Sequence, residues 1–144
     1  VKHVVILGAG PAGSSAGYHL ASSGHTVTLI DRADFPRPKT CGDWITQGAV
    51  TALAKMGLSP KELEKEAVEH AIIDRSLLAS PGGRASVVRS KVPAYCIPRT
   101  IFDDILFRRA LGAGCIFRKE HLTKVPNGFR DEFDIVIDAR GVYA

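Results

Sequence analysis

Val4–Leu7 is an unbroken apolar run that ends on a glycine. A short run without alternation predicts a strand of a parallel sheet, buried on both faces. From Pro11 the pattern changes. Ala12, Ser15 and Ala16 place small residues on one side of a helix predicted over Pro11–Ser23, with Gly24 as its stop. "TVTLID" (Thr26–Asp31) is a second apolar strand, so the chain opens as a β-α-β unit. "FPRPKTCGD" (Phe35–Asp43) then interrupts the pattern with two prolines, two cations, a cysteine and a glycine. Neither a helix nor a strand interior favours that composition, which predicts a stiff, basic loop.

Thr46–Met56 reads as a helix stopped by Gly57, and "SPKE" (Ser59–Glu62) is a capping box with proline at the first helical position. Residues 71–88 are β-rich on both sides of Pro81-Gly82-Gly83, which predicts a hairpin. Thr100 is placed to cap a helix over Ile101–Leu111, whose stripe of Ile101, Phe102, Ile105 and Leu106 predicts core, with Gly112 as the stop. "CIF" (Cys115–Phe117) and "FDIVIDA" (Phe133–Ala139) are two further strands, with "PNG" as a turn before the second. The fold class is α/β.

Composition narrows the picture by exclusion. The chain has 144 residues, 45% of them hydrophobic and 24% charged, which suits a globular domain with a core. A net charge of +4 is spread without a basic, aromatic-interleaved run, so no nucleic-acid partner is expected. Cys41, Cys96 and Cys115 are odd in number and lack C-x-x-C spacing. That argues against zinc and a disulfide framework and for reduced thiols in a cytoplasm. The five histidines show no ligand spacing, so no metal site is expected. "VVILGAGPAG" lacks the charged start and long apolar stretch of a signal peptide, and no segment reaches the length of a membrane span.

The chemistry begins at Gly8, Gly10 and Gly13. Their G-x-G-x-x-G spacing is weak alone, but it follows a strand and opens a helix. Asp31 ends the next strand, where a carboxylate accepts both ribose hydroxyls of a dinucleotide. Gly8 permits the turn, Gly10 admits a pyrophosphate, and Gly13 allows close helix–strand packing at a positive helix end. A carboxylate here also disfavours a 2′-phosphate, which leaves NAD or FAD. The loop decides between them. Arg32–Asp43 spans at most about 40 Å when extended, long enough to follow a long cofactor from adenosine to reactive ring. Arg32, Arg37 and Lys39 bring charge suited to a pyrophosphate, and the prolines lower the entropy of holding the path. Removing the Asp31 side chain is expected to weaken the cofactor and spare the fold.

Taken in order, "VVILGAGPAGSSAGYHLASSGHTVTLIDR", "FPRPKTCGD", "IPRTIFDDIL" and "DIVIDARG" resemble the N-terminal half of geranylgeranyl-reductase-type FAD oxidoreductases. These belong to the class that includes aromatic hydroxylases and flavin-dependent halogenases. The resemblance implies a Rossmann-like FAD-binding domain with a parallel sheet, interleaved with part of a β-sheet substrate domain. It divides the chain into an FAD-binding βαβ unit with following helices (1–66), a substrate-domain β segment (67–98) and a return to the FAD-binding domain (99–144). It implies cofactor contacts from Gly8, Gly10, Pro11, Ala12, Gly13, Asp31, Arg32, Lys39, Cys41, Gly42, Arg99 and Gly141. Cys41, which would pass beside the flavin, is the candidate catalytic residue, with inert packing as the competing role. Asp43 and Trp44 are candidates for the substrate cavity.

Two departures refine the resemblance. Arg140 stands where hydroxylases carry an aspartate, which argues against their style of NAD(P)H handling, whereas the "DA-x-G" ending suits the reductases. "PKTCGD" departs from the halogenase pattern at the same loop. The implied activity is reduction or oxygenation of an apolar organic substrate, a prenyl chain or aromatic ring, with NAD(P)H or a separate reductase as electron donor. The substrate is expected free or carried by a protein, with peripheral membrane contact. A flavin monooxygenase or halogenase is the alternative within the class; a non-catalytic dinucleotide-binding module and an NAD-only protein are the alternatives outside it. The class closes its flavin site with a later Gly-Asp segment, so the reading frame is expected to continue past Ala144. Residues 1–144 alone are then expected to be poorly soluble or to hold FAD weakly.

Overall fold

A computed structural model describes residues 1–141. By packing, the chain divides into two units, one of Val1–Pro38 together with residues from Phe102 onward, the other of Lys39–Ile101. The sequence reading drew its boundaries at 66 and 98; packing draws them at 38 and 101.

The first unit is built on a four-stranded parallel sheet in the order β6-β2-β1-β7. Its strands are β1 (His3–Leu7), β2 (Thr26–Asp31), β6 (Ile116–Lys119) and β7 (Ile135–Asp138). The unbroken apolar run of β1 has a simple cause. Side chains alternate across a strand, and here both faces are covered. Val4 and Ile6 join Val27, Leu29, Phe107, Ala110 and Cys115 on one side, while Val5 and Leu7 join Ile30, Phe129 and Phe133 on the other. Helix α1 (Pro11–Ser22) contributes Ala16, Tyr18, Leu20 and Ala21 to the first cluster. Gly17 lets it close on the sheet, since a Cβ there would stand 3.1 Å from both Cys115 Sγ and Leu29 Cδ2. The buried Cys115 thiol is pushed up to about 11 by desolvation, which marks a packing residue.

Two features of this unit differ from expectation. Helix α4 (Arg99–Gly112) begins at Arg99, so Thr100 lies inside its first turn and does not cap it. The "PNG" turn is followed by a short helix, α5 (Phe129–Glu132), which the sequence reading missed. Phe129, in α5, and Phe133, just after it, stack edge to face at 5.3 Å and form most of the cover on the second sheet face.

The second unit holds a three-stranded antiparallel sheet, β3-β5-β4, made of β3 (Trp44–Ile45), β4 (Ala71–Ala79) and β5 (Ala85–Cys96). The predicted hairpin is present. Gly83 takes φ +80° in its turn, where Ser80 N–H donates to Arg84 O at 2.8 Å. Helix α2 (Gln47–Ala54) is capped by Thr46, whose hydroxyl accepts from Ala49 N–H, and α3 (Pro60–Glu66) by Ser59, which accepts from Glu62 N–H. Val50, Leu53, Met56, Leu58, Leu63, Tyr95 and Ile97 are all buried. A fully buried large side chain contributes about 1.5–3 kcal/mol. Tyr95 also donates its hydroxyl to Glu64 at 2.5 Å, and burial followed by that neighbour pushes its pKa up to about 12. Leu77, Leu78, Val87 and Val88 are exposed toward the hairpin tip.

Candidate functional site

The first unit places β1 between β2 and β7, with the following helix crossing to one side only. The carboxyl end of β1 is therefore a topological switch point, where open α/β sheets bind ligands. The glycine turn sits there. Gly8 has φ +97°, and its N–H donates to Ile30 O at 2.7 Å. A Cβ on Gly8 would stand 2.5 Å from Ala139 O, and one on Gly13 would stand 1.8 Å from Gly8 O. Both positions admit only glycine because backbone fills the space. Ser14 fastens the turn further, its hydroxyl donating to Ala9 O at 2.8 Å.

Helix α1 starts with Gly10 as N-cap and Pro11 at the first position; no side chain caps it, and no acidic residue lies in its first turn. Its leading N–H groups and positive dipole end are thus left for an external anion. A dinucleotide pyrophosphate fits this end on charge and on the room the glycines leave.

Asp31 corrects one expectation. Its Oδ2 accepts Ala9 N–H at 2.8 Å and its Oδ1 accepts Ala33 N–H at 3.0 Å. The carboxylate therefore braces the glycine turn as well as offering lone pairs to a ribose, and its removal touches the fold. Arg32, beside it, is exposed.

Arg37 comes from the stiff loop and reaches the turn. Its Nη2 lies 3.3 Å from where a Gly10 Cβ would stand, and its Nη1 is 3.4 Å from Asp103 Oδ2. Its guanidinium carbon sits 4.8 Å from the Phe35 ring centroid, and Phe35 stacks on Phe107 at 4.4 Å. Asp103 is fully buried. Sequence reasoning missed Asp103 entirely, because in the sequence it reads like its neighbour Asp104.

At the end of β7, Arg140 turns back on its own strand. Its Nε and Nη2 reach the Asp138 carboxylate at 2.9 and 2.6 Å, and its Nη1 donates to Leu122 O at 2.9 Å. Hydrogen bonding from Arg140 holds the Asp138 carboxyl below the usual carboxylate range. The residue that departs from the hydroxylase pattern thus serves as a clasp. Gly141 follows it with φ +85°.

The second unit carries the other predicted residues. Lys39, Cys41 and Gly42 are exposed. The backbone N–H of Asp43, then the guanidinium of Arg99, hold the Cys41 thiol below its usual pKa. Asp43 adopts φ +57°, and its carbonyl accepts Ile97 N–H at 2.9 Å, which pins the end of the loop to the strand leading into α4. The structure thus brings Cys41, Asp43 and Arg99 together within this unit. Trp44 is exposed on β3, a two-residue strand that sequence patterning did not reveal.

Comparison with known proteins follows the same lines. The model of the FAD binding domain family matches residues 2–133. Digeranylgeranylglycerophospholipid reductase of Methanocaldococcus jannaschii is 36% identical over 116 residues, covering 79% of this chain and 27% of its own. Menaquinone reductase of Mycobacterium tuberculosis is 53% identical over 55 residues, 38% of this chain and 14% of its own. Among solved structures, the flavin-dependent brominase Bmp2 aligns with a TM-score of 0.74 at 26% identity, over 88% of this chain and 31% of its own. Halogenase PltM reaches a TM-score of 0.77 over 98% of this chain and 34% of its own; at 21% identity it speaks for the fold alone. The chain spans about a quarter of the phospholipid reductase's length and less of the menaquinone reductase's. Among the described residues, no helix is long and apolar enough to cross a membrane.

Proposed function

The chain belongs to the FAD binding domain family, and from that premise we propose that it is the cofactor-binding part of an FAD-dependent oxidoreductase acting on a prenyl chain. The observation that carries the proposal is the glycine turn, closed by backbone at Gly8 and Gly13, beside an uncapped helix end and the Asp31 carboxylate. In this reading Gly10, Pro11, Ala12 and Gly13 line the pyrophosphate, and Asp31 and Arg32 hold the adenosine ribose. Lys39, Cys41, Gly42, Arg99 and Gly141 complete the cofactor contacts.

When bound, FAD supplies the electron transfer that no side chain offers. The chain's own residues bind and orient it, and Cys41 Sγ holds the proton that the substrate carbon takes up. The hydrogen bonds from Asp43 N–H and Arg99 that lower the thiol's pKa suit that role, since they ease release of the proton. NAD(P)H or a separate reductase supplies electrons. The substrate class is supported by the names of two curated relatives, menaquinone reductase and digeranylgeranylglycerophospholipid reductase, whose named molecules carry isoprenoid chains. In this reading the protein is cytoplasmic, as its free cysteines suggest, and makes peripheral contact with a membrane or a lipid carrier. The likeness to a brominase supports a second reading, oxygen-dependent halogenation or hydroxylation of an aromatic ring.

Anaerobic reduction of the flavin-loaded protein, followed by a prenyl lipid with no quinone ring, such as a geranylgeranylated glycerophospholipid, separates these readings. Reoxidation by the lipid without oxygen supports the reductase. Reoxidation by oxygen alone supports the oxygenase or halogenase, and a flavin that neither NAD(P)H nor a reductase reduces supports a non-catalytic module. In the same assay, Cys41→Ser is expected to keep the flavin and lower turnover at least tenfold, about 1.4 kcal/mol in the barrier. Wild-type turnover in that variant would return Cys41 to packing.

A further inference from the structure

Asp103 is a carboxylate with no exposed surface on a helix whose other buried positions are all apolar. Burying a charge is costly unless a cation and hydrogen bonds compensate it. Here a compensating cation is Arg37, from the loop after β2, with Nη1 3.4 Å from Asp103 Oδ2. The guanidinium is held on a second side by the Phe35 ring at 4.8 Å, itself fixed by stacking on Phe107 at 4.4 Å. A flexible surface arginine needs neither restraint. This one is 18% exposed, and its Nη2 stands over Gly10, at the mouth of the uncapped helix end.

We propose that Asp103 and Phe35 are positioning residues for the cofactor's pyrophosphate, acting through Arg37. The inference rests on the FAD reading. Nη1 faces Asp103 and one face of the guanidinium lies on the ring, while Nη2 stands on the Gly10 side. A planar fork fixed in this way meets two phosphate oxygens without losing rotamer freedom on binding. Gly10 acquires a second reason to be glycine: a methyl there would press on the fork as well as on the ligand.

The test is FAD titration of apoprotein made from its complete reading frame, with apoprotein melting temperature recorded alongside. Arg37→Gln and Asp103→Asn are each expected to raise the FAD dissociation constant about tenfold, as for loss of a charge-assisted contact. Phe35→Leu, which keeps apolar packing, is expected to raise it about threefold. Because all three act through one guanidinium, adding Asp103→Asn or Phe35→Leu to Arg37→Gln should change the constant less than about twofold. A purely structural role for Asp103 predicts instead that the losses multiply. Multiplying losses, or single variants within twofold of wild type, overturn the proposal. If Asp103→Asn does not fold, the Phe35 and Arg37 pair decides by the same criterion. A wild-type protein that binds no FAD overturns the cofactor reading beneath it, and the proposal with it.

Discussion

Gly13→Ala is expected to disable the nucleotide-binding unit outright. The new methyl would lie 1.8 Å from Gly8 O, a backbone atom that is itself tied to the sheet through the adjoining Gly8 N–H···O=C Ile30 bond. No rotamer relieves such a clash. Either α1 lifts from β1, opening the cluster around Val4, Ile6 and Leu29, or the turn unwinds. The cost is on the order of 3–5 kcal/mol, the tail reached when backbone must move in a packed core. Urea or thermal melting should show the loss, and FAD binding should be absent. Gly24→Ala is the internal control. Gly24 has φ +86°, but nothing lies within 4 Å of its Cβ position, so only the left-handed backbone penalty of about 1–2 kcal/mol applies. Equal losses at the two positions would show that the turn is not packed as described.

Asp31→Ala is expected to act twice. Loss of a ribose acceptor should weaken FAD by about 1.5–3 kcal/mol, roughly ten- to a hundredfold. Loss of the bonds to Ala9 N–H and Ala33 N–H should also lower the apoprotein's melting temperature, because the turn loses its brace. The two effects separate by experiment. Excess FAD stabilises a folded protein according to its affinity, so the variant's shift in melting temperature on adding FAD should shrink as well as its starting value fall. Full FAD-induced stabilisation in Asp31→Ala would remove the carboxylate from the cofactor site and leave it a structural residue.

The parts of the fold legible in the sequence share one property: their signal is local. The apolar run of β1, the glycine spacing, the strand ending at Asp31, the Ser59 cap and the Pro81-Gly82-Gly83 turn each lie within a few consecutive residues. What stayed hidden needs distant partners. β3 is two residues long and exists because Trp44 and Ile45 pair with Cys96 and Tyr95, which no window around Trp44 contains. α5 is too short for a helical period to register, and Phe129 within it and Phe133 just after it matter because a sheet face needs covering.

The site divides in the same way. Gly8, Gly13 and Asp31 announce themselves by spacing. The buried Asp103 reads like its exposed-looking neighbour Asp104, which pairs with Arg108 one turn along the same helix. Only the fold shows that one of these adjacent carboxylates faces a guanidinium from the loop after β2. Asp31 carries a related lesson, since a motif assigns it a ligand and cannot show the backbone groups it already holds.

The central claim is that this glycine turn holds FAD. The most direct measurement is to purify the protein, release its cofactor by denaturation, and identify and count what comes off. The account predicts FAD, stoichiometric with the chain in wild type and absent from Gly13→Ala. A wild-type protein that releases no flavin, and takes up none when incubated with FAD, would contradict it.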